Sequence, residues 1–156
     1  MFNKESVCCH VCSTDIKYRK GDPSPSICPV CGADLADPTS ETLRDAMRCT
    51  HLKGTLGIGE GEMHITNKRL FWIARRDEET GNVLVYAVTG KKANTVPVNI
   101  PLEDIERIGD CKKFLRIGIT VYTKSGESYN FFLENRGNPQ ILKDFLLPHV
   151  GSIFEK

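Results

Sequence analysis

No apolar run in this 156-residue chain approaches the ~20 residues that a helical bilayer crossing requires. The opening residues, Met1 to Val7, are polar and contain no apolar signal core, and neither end carries a lipidation motif. A soluble, cytoplasmic protein is expected, peripheral at a membrane at most. An excess of one charge is missing too: 21 Lys and Arg stand against 20 Asp and Glu. Residues 1–48 hold six basic and seven acidic side chains, and residues 49–156 hold fifteen and thirteen. Phosphate-driven binding leaves a strongly basic footprint, so nucleic acid is the least expected partner. A protein partner is expected first and an anionic lipid second, while nothing in the chain speaks to oligomeric state.

Catalytic constellations are also scarce. His64 falls on the polar side of a strand, His51 in a linker and His149 after a terminal helix, each without a recognisable orienting partner. The glycines at 54, 57 and 59 lack both the Gly-Lys-Ser/Thr ending of a phosphate loop and the Gly-x-Gly-x-x-Gly order. They fit better as relief of crowding where strongly bent strands meet. The expectation is that the chain is not an enzyme.

Cysteine, by contrast, is plentiful. Cys9/Cys12 and Cys28/Cys31 form two Cys-x-x-Cys pairs separated by fifteen residues, the spacing at which two tight turns surround one zinc ion with four thiolates. Four protein ligands leave no open coordination position, so one structural Zn²⁺ is expected. Gly32 follows the second pair and suits a positive φ; the first pair lacks a glycine and is preceded by Cys8, which competes with Cys9 as a ligand. Cys9 is favoured because it alone keeps the two-residue spacing, and His10 is not counted as a ligand. A redox dithiol normally occurs once beside a βαβ pattern, and a disulfide framework needs export; neither condition holds here. Cys8, Cys49 and Cys111 are expected to be free thiols. Lys17, Tyr18, Arg19 and Lys20 lie between the knuckles and read as a solvated arm.

The chain thus divides into a zinc ribbon over residues 1–37, a linking helix over 38–50 and a larger unit over 51–156. Asp37-Pro38 resembles a helix start, and Leu43, Ala46 and Met47 fall on one helical face. Beyond it the period drops to two. Strands are expected over 63–66, 70–74 and 83–88, then in a hairpin over 114–134 turned by Ser125-Gly126. In that hairpin Leu115, Ile117, Ile119 and Val121 face one way. Trp72 is expected in the core. Asn138 as cap, Pro139 at the first position and the stripe Ile141, Leu142, Phe145 and Leu146 predict a closing helix that Pro148 ends.

The segment Gly61-Glu62-Met63-His64-Ile65-Thr66-Asn67-Lys68-Arg69-Leu70-Phe71-Trp72, followed by Val98-Asn99-Ile100-Pro101-Leu102-Glu103-Asp104-Ile105-Glu106-Arg107-Ile108, resembles the GRAM family of pleckstrin-homology-like domains over roughly residues 51–147. The resemblance implies a mainly β protein: a bent antiparallel PH-like β-barrel capped by a C-terminal α-helix, here preceded by the zinc ribbon. It also implies a binding module. Many such domains hold phosphoinositide headgroups with basic residues in the loop joining their first two strands, but the corresponding Ile58-Gly59-Glu60-Gly61-Glu62 is acidic and would repel a phosphorylated headgroup. Among the basic groups elsewhere, Arg75-Arg76, Lys91-Lys92 and Lys112-Lys113 with Arg116, the last is the candidate for anionic lipid or an acidic peptide. A solvated strand end is the competing reading for each. The expected role is a non-catalytic intracellular binding or adaptor protein, with a peripheral lipid sensor and a nucleic-acid-binding ribbon as alternatives.

Overall fold

The computed structural model describes residues 3–53, 56–74, 98–113, 115–133 and 138–151. Two strands, β1 (Lys4–Cys8) and β2 (Asp15–Arg19), form the N-terminal sheet. A seven-stranded sheet follows, in the spatial order β6-β5-β4-β3-β9-β8-β7. Its strands are β3 (Leu43–Lys53), β4 (Leu56–Thr66), β5 (Arg69–Ala74), β6 (Val98–Pro101), β7 (Ile105–Lys113), β8 (Arg116–Thr123) and β9 (Ser128–Phe132), and helix α1 (Pro139–Val150) closes the chain. Every strand pair is antiparallel. The fold is mainly β, as expected from the short alternating runs. The resemblance implied a bent antiparallel barrel; among the described residues the seven strands form one antiparallel sheet that does not close, with β6 and β7 at its edges. Two meanders meet where Thr50, His51 and Leu52 pair with Phe132, Phe131 and Asn130. The strand expected over 83–88 lies outside the described residues, as do Arg75-Arg76, Lys91-Lys92 and Gly54.

The linking helix expected over 38–50 is not formed. Asp37 instead holds a turn, its carboxylate accepting from the Thr39 amide at 3.1 Å and from the Thr39 hydroxyl at 2.6 Å, the local competition by which Asp diverts a backbone from helix. Residues from Leu43 onward pair along β4 instead. The apolar positions at helical spacing there are outweighed by a ladder of cross-strand contacts, so residues 43–50 belong to the sheet and not to a linker. His51, expected in a linker, therefore lies within β3; it is buried, with Nδ1 2.9 Å from the Asn130 carbonyl oxygen.

One face of the sheet carries the main core. Trp72 is fully buried, its indole N–H donating to the Cys49 carbonyl at 3.1 Å, and Met63, Ile65, Leu70, Ile119, Val121 and Phe131 surround it in the same cluster. Gly61 lies directly under that indole, where any Cβ would overlap the ring and the Ile73 carbonyl. Helix α1 covers this face with Leu142 and Leu146, both fully buried. Asn138 caps it by accepting from the Gln140 amide at 2.9 Å. Ile141, expected in the stripe, is 49% exposed. Pro148 does not end the helix, which continues to Val150; in the last turn proline removes only one late amide from the ladder. The row Leu115, Ile117, Ile119, Val121 is buried only in its second half, because β8 runs on past the apolar cluster.

A buried ion pair fastens the segment before β3 to the sheet. Arg69 Nε and Nη2 donate to the two Glu41 carboxylate oxygens at 2.7 and 3.2 Å, and the Thr66 hydroxyl donates to Oε1 at 2.8 Å. Alongside, Thr42 and Asn67 exchange two hydrogen bonds of 2.8 and 3.1 Å. Burial acts to raise the Glu41 pKa, but the bonds from Arg69 and Thr66 outweigh it and the net direction is downward from its ordinary value of 4.5. A carboxyl held below its unfolded value contributes stability that is complete above that value and is lost as pH falls through the folded one. Glu41→Gln is expected to cost about 1–3 kcal/mol at neutral pH and to flatten the acid limb of a urea-stability against pH curve. An unchanged acid limb would remove the pair from this role.

Candidate metal centre

The two Cys-x-x-Cys turns are built alike. Cys9 donates its amide to the Thr14 carbonyl at 2.9 Å and accepts from the Ser13 amide at 2.9 Å; Cys28 does the same with Ala33 at 2.8 Å and Gly32 at 2.9 Å. Gly32 takes φ 76°, and Ser13, at the equivalent place, takes φ 58°. The first knuckle thus adopts the left-handed turn without the glycine that normally supplies it.

These turns bring the four thiols of Cys9, Cys12, Cys28 and Cys31 together, every sulfur within 4.8 Å of the others. Cys9 Sγ lies 3.6 Å from Cys31 Sγ, and Cys12 Sγ lies 3.7 Å from Cys28 Sγ. A tetrahedral thiolate site with metal–sulfur bonds of about 2.3 Å has edges of about 3.8 Å, so the donor set fits a metal ion. A disulfide, at about 2.05 Å, does not fit these separations. Cys8 is exposed on β1 and outside the cluster, so the competition with Cys9 is resolved for Cys9. His10 is outside it as well, with Nε2 buried and lacking a hydrogen-bond partner.

Thiols this close share charge unevenly. Cys28 is driven well below the usual thiol range by bonds from Cys12 and then Cys31. Cys12 is pushed up to about 11, first by its bond to Cys28, and Cys31 is raised, first by Cys12 and then by Cys28. A single negative charge is stabilised and a second is strongly opposed. A cation amid the sulfurs reverses that opposition, which is how thiolate sites couple metal affinity to pH.

The centre packs against the large sheet. Cys9, Val11, Ile16, Cys28, Cys31 and Ala33 form one buried apolar cluster with Phe71 of β5, and Ile73 packs at its margin. Phe71 points away from Leu70 and Trp72, so β5 is covered on both faces: by the main core beneath and by the ribbon above. His64, expected on the polar side of its strand, lies opposite Phe71 on the face that the ribbon covers and is only 6% exposed, its ring stacked on Phe71 with centroids 4.8 Å apart. Burial lowers its pKa and favours the neutral imidazole. Arg69 crosses the same ring at 4.6 Å. A cleft of about 170 Å³ remains between ribbon and sheet, lined by Cys12, Arg48, Glu62 and His64 among others.

Of the other sequence candidates, Lys112, Lys113 and Arg116 gather at the far end of the β7–β8 hairpin, where Lys113 pairs with Arg116. Lys17 and Arg19 lie on the exposed face of β2, with Lys4 opposite Arg19. Glu41 carried no motif, and Phe71 and Arg69 entered the sequence reading only through the family resemblance and without a role at this site. The one available signal for Phe71 was the unbroken apolar run Leu70-Phe71-Trp72-Ile73, which denotes a strand buried on both faces.

No protein-family profile matches the chain, and no curated protein matches it. Solved structures do. The C-terminal domain of an unknown protein from Leishmania infantum is 18% identical with a TM-score of 0.50, covering 76% of this chain and 92% of that one. The hSac2 domain from human phosphoinositide phosphatase Sac2 is 15% identical with a TM-score of 0.45, covering 77% and 78%. The first is a likeness of fold alone, and the second is too distant to bear on this chain.

Because Ser13 holds a left-handed turn that glycine adopts freely, Ser13→Gly is expected to stabilise the metal-loaded ribbon by up to about 1 kcal/mol and Gly32→Ala to destabilise it by about 1 kcal/mol. Competition with a calibrated chelator measures both; no change in either variant, or each effect with its sign reversed, would show that the turns do not set the site.

Proposed function

We propose that the chain is a non-catalytic binding or adaptor protein in which a zinc ribbon braces a GRAM-like, pleckstrin-homology-like sheet. The observation that carries this reading is the burial of three of the four candidate ligands: Cys9 and Cys28 are 1% exposed and Cys31 is fully buried, all in one cluster with Phe71, while Cys12 is partly buried at the margin of that cluster. Four thiolates favour a borderline-soft ion with tetrahedral preference, which supports zinc over magnesium or calcium. When bound, zinc supplies a crosslink between the knuckles and neutralises part of their charge. A site with four protein ligands has no open coordination position, so it serves architecture and leaves molecular recognition to the outer surface.

One zinc per chain is expected by elemental analysis, falling to none in Cys28→Ser/Cys31→Ser. The cobalt(II)-substituted protein should give the visible spectrum of a four-thiolate tetrahedral site, unchanged by excess imidazole. A spectrum that shifts with imidazole would reveal an open coordination position and overturn the purely architectural role.

A further inference from the structure

The four clustered cysteines are not equally covered. Cys9 and Cys28 are 1% exposed and Cys31 is fully buried, whereas Cys12 is only partly buried. Cys12 is also the one cysteine among the residues that line the cleft between ribbon and sheet. A small solute in that cleft therefore meets the cluster at a single sulfur. Thr14 and Arg48 share the cleft wall, and the Cys12 thiol donates to Thr14 Oγ1 at 3.1 Å, which holds the sulfur toward the opening.

Behind Cys12 stands a specific partner. Its sulfur lies 3.7 Å from Cys28 Sγ on the other knuckle, so a disulfide needs a closure of under about 2 Å. Reactivity of a cysteine toward oxidants follows thiolate character and access, and metal ligation supplies the first while the cleft supplies the second.

We propose that Cys12 is an oxidative modification site, where a hydroperoxide entering the cleft leads to a Cys12–Cys28 disulfide that dismantles the metal site. The inference rests on the zinc-bound reading above and adds a way of undoing it. The Cys12 thiolate attacks one peroxide oxygen, the O–O bond breaks, and Cys12 becomes a sulfenic acid as hydroxide leaves. Arg48 supplies positive charge in the cleft where that hydroxide forms. The Cys28 thiolate then attacks the Cys12 sulfur, the S–S bond forms, and a second hydroxide is expelled. Two sulfurs have given up two electrons and the peroxide has taken them; both hydroxides gain protons from water. The ribbon thereby loses two of its four ligands and releases the ion, while the new bond keeps the two turns joined.

The test starts from the intact zinc-loaded protein carrying Cys8→Ser, which removes the exposed competitor beside the cluster. Hydrogen peroxide is added below stoichiometry, free thiols are blocked, and linkages are mapped by peptide mass spectrometry. Cys12–Cys28 is expected as the first disulfide, with zinc release in step as read by a chromogenic chelator, and with zinc binding restored by phosphine reduction. Before oxidation, N-ethylmaleimide should label Cys12 about tenfold or more faster than Cys9, Cys28 or Cys31. A first linkage within either Cys-x-x-Cys pair overturns the proposal, as does uniform labelling or oxidation that leaves the zinc in place. Zinc absent before treatment would overturn the metal reading instead, and the first linkage formed still decides the inference by itself.

Discussion

Convergence of four sulfurs to within 4.8 Å is the constraint on which the N-terminal forty residues depend. That segment has little apolar surface of its own, and a unit so small is rarely stable on hydrophobic burial alone. Its core is largely the clustered cysteines, with Val11, Ile16 and Ala33 between them. The same cluster is completed by a side chain from another sheet, Phe71. Ribbon and sheet are therefore not beads on a string: the first supplies a roof, and the second supplies the largest apolar side chain under it.

The strap of Glu41, Thr66 and Arg69 extends this coupling along the backbone. A bidentate guanidinium–carboxylate pair removed from water is costly to assemble and more costly to leave half-made. It fixes where the chain passes from ribbon to β3 and so allows the first strand of the large sheet to begin at Leu43 without a spacer. No helix is needed to bridge the modules, since side chains distant in sequence do the bridging.

How much of this was legible beforehand depended on whether the determinant was local. Cysteine spacing is local, and the convergence of the four cysteines follows from it. Strand alternation in Ile119-Thr120-Val121 and the cap-proline start of α1 are local as well, and both elements stand where expected. Residues 43–50 were misread as helix because their strand state is imposed by pairing with β4, a partner that no short window contains. The half-burial of the Leu115 to Val121 row depends on where the core ends, again a tertiary fact. Ser13 was legible only as a missing glycine; its φ of 58° shows that the knuckle selects a backbone shape and accepts a residue that tolerates it. The burial of His64 and His51 is not legible locally, because each is covered by aromatic rings from elsewhere in the chain.

Phe71 and Trp72 are sequence neighbours that face opposite sides of one strand, so each senses a different half of the molecule. The indole is the chain's single tryptophan and looks inward, hydrogen-bonded to β3. Its fluorescence consequently follows the integrity of the large sheet and is a poor witness to what happens above β5, where ribbon departure would be registered by phenylalanine and by the imidazole resting on it.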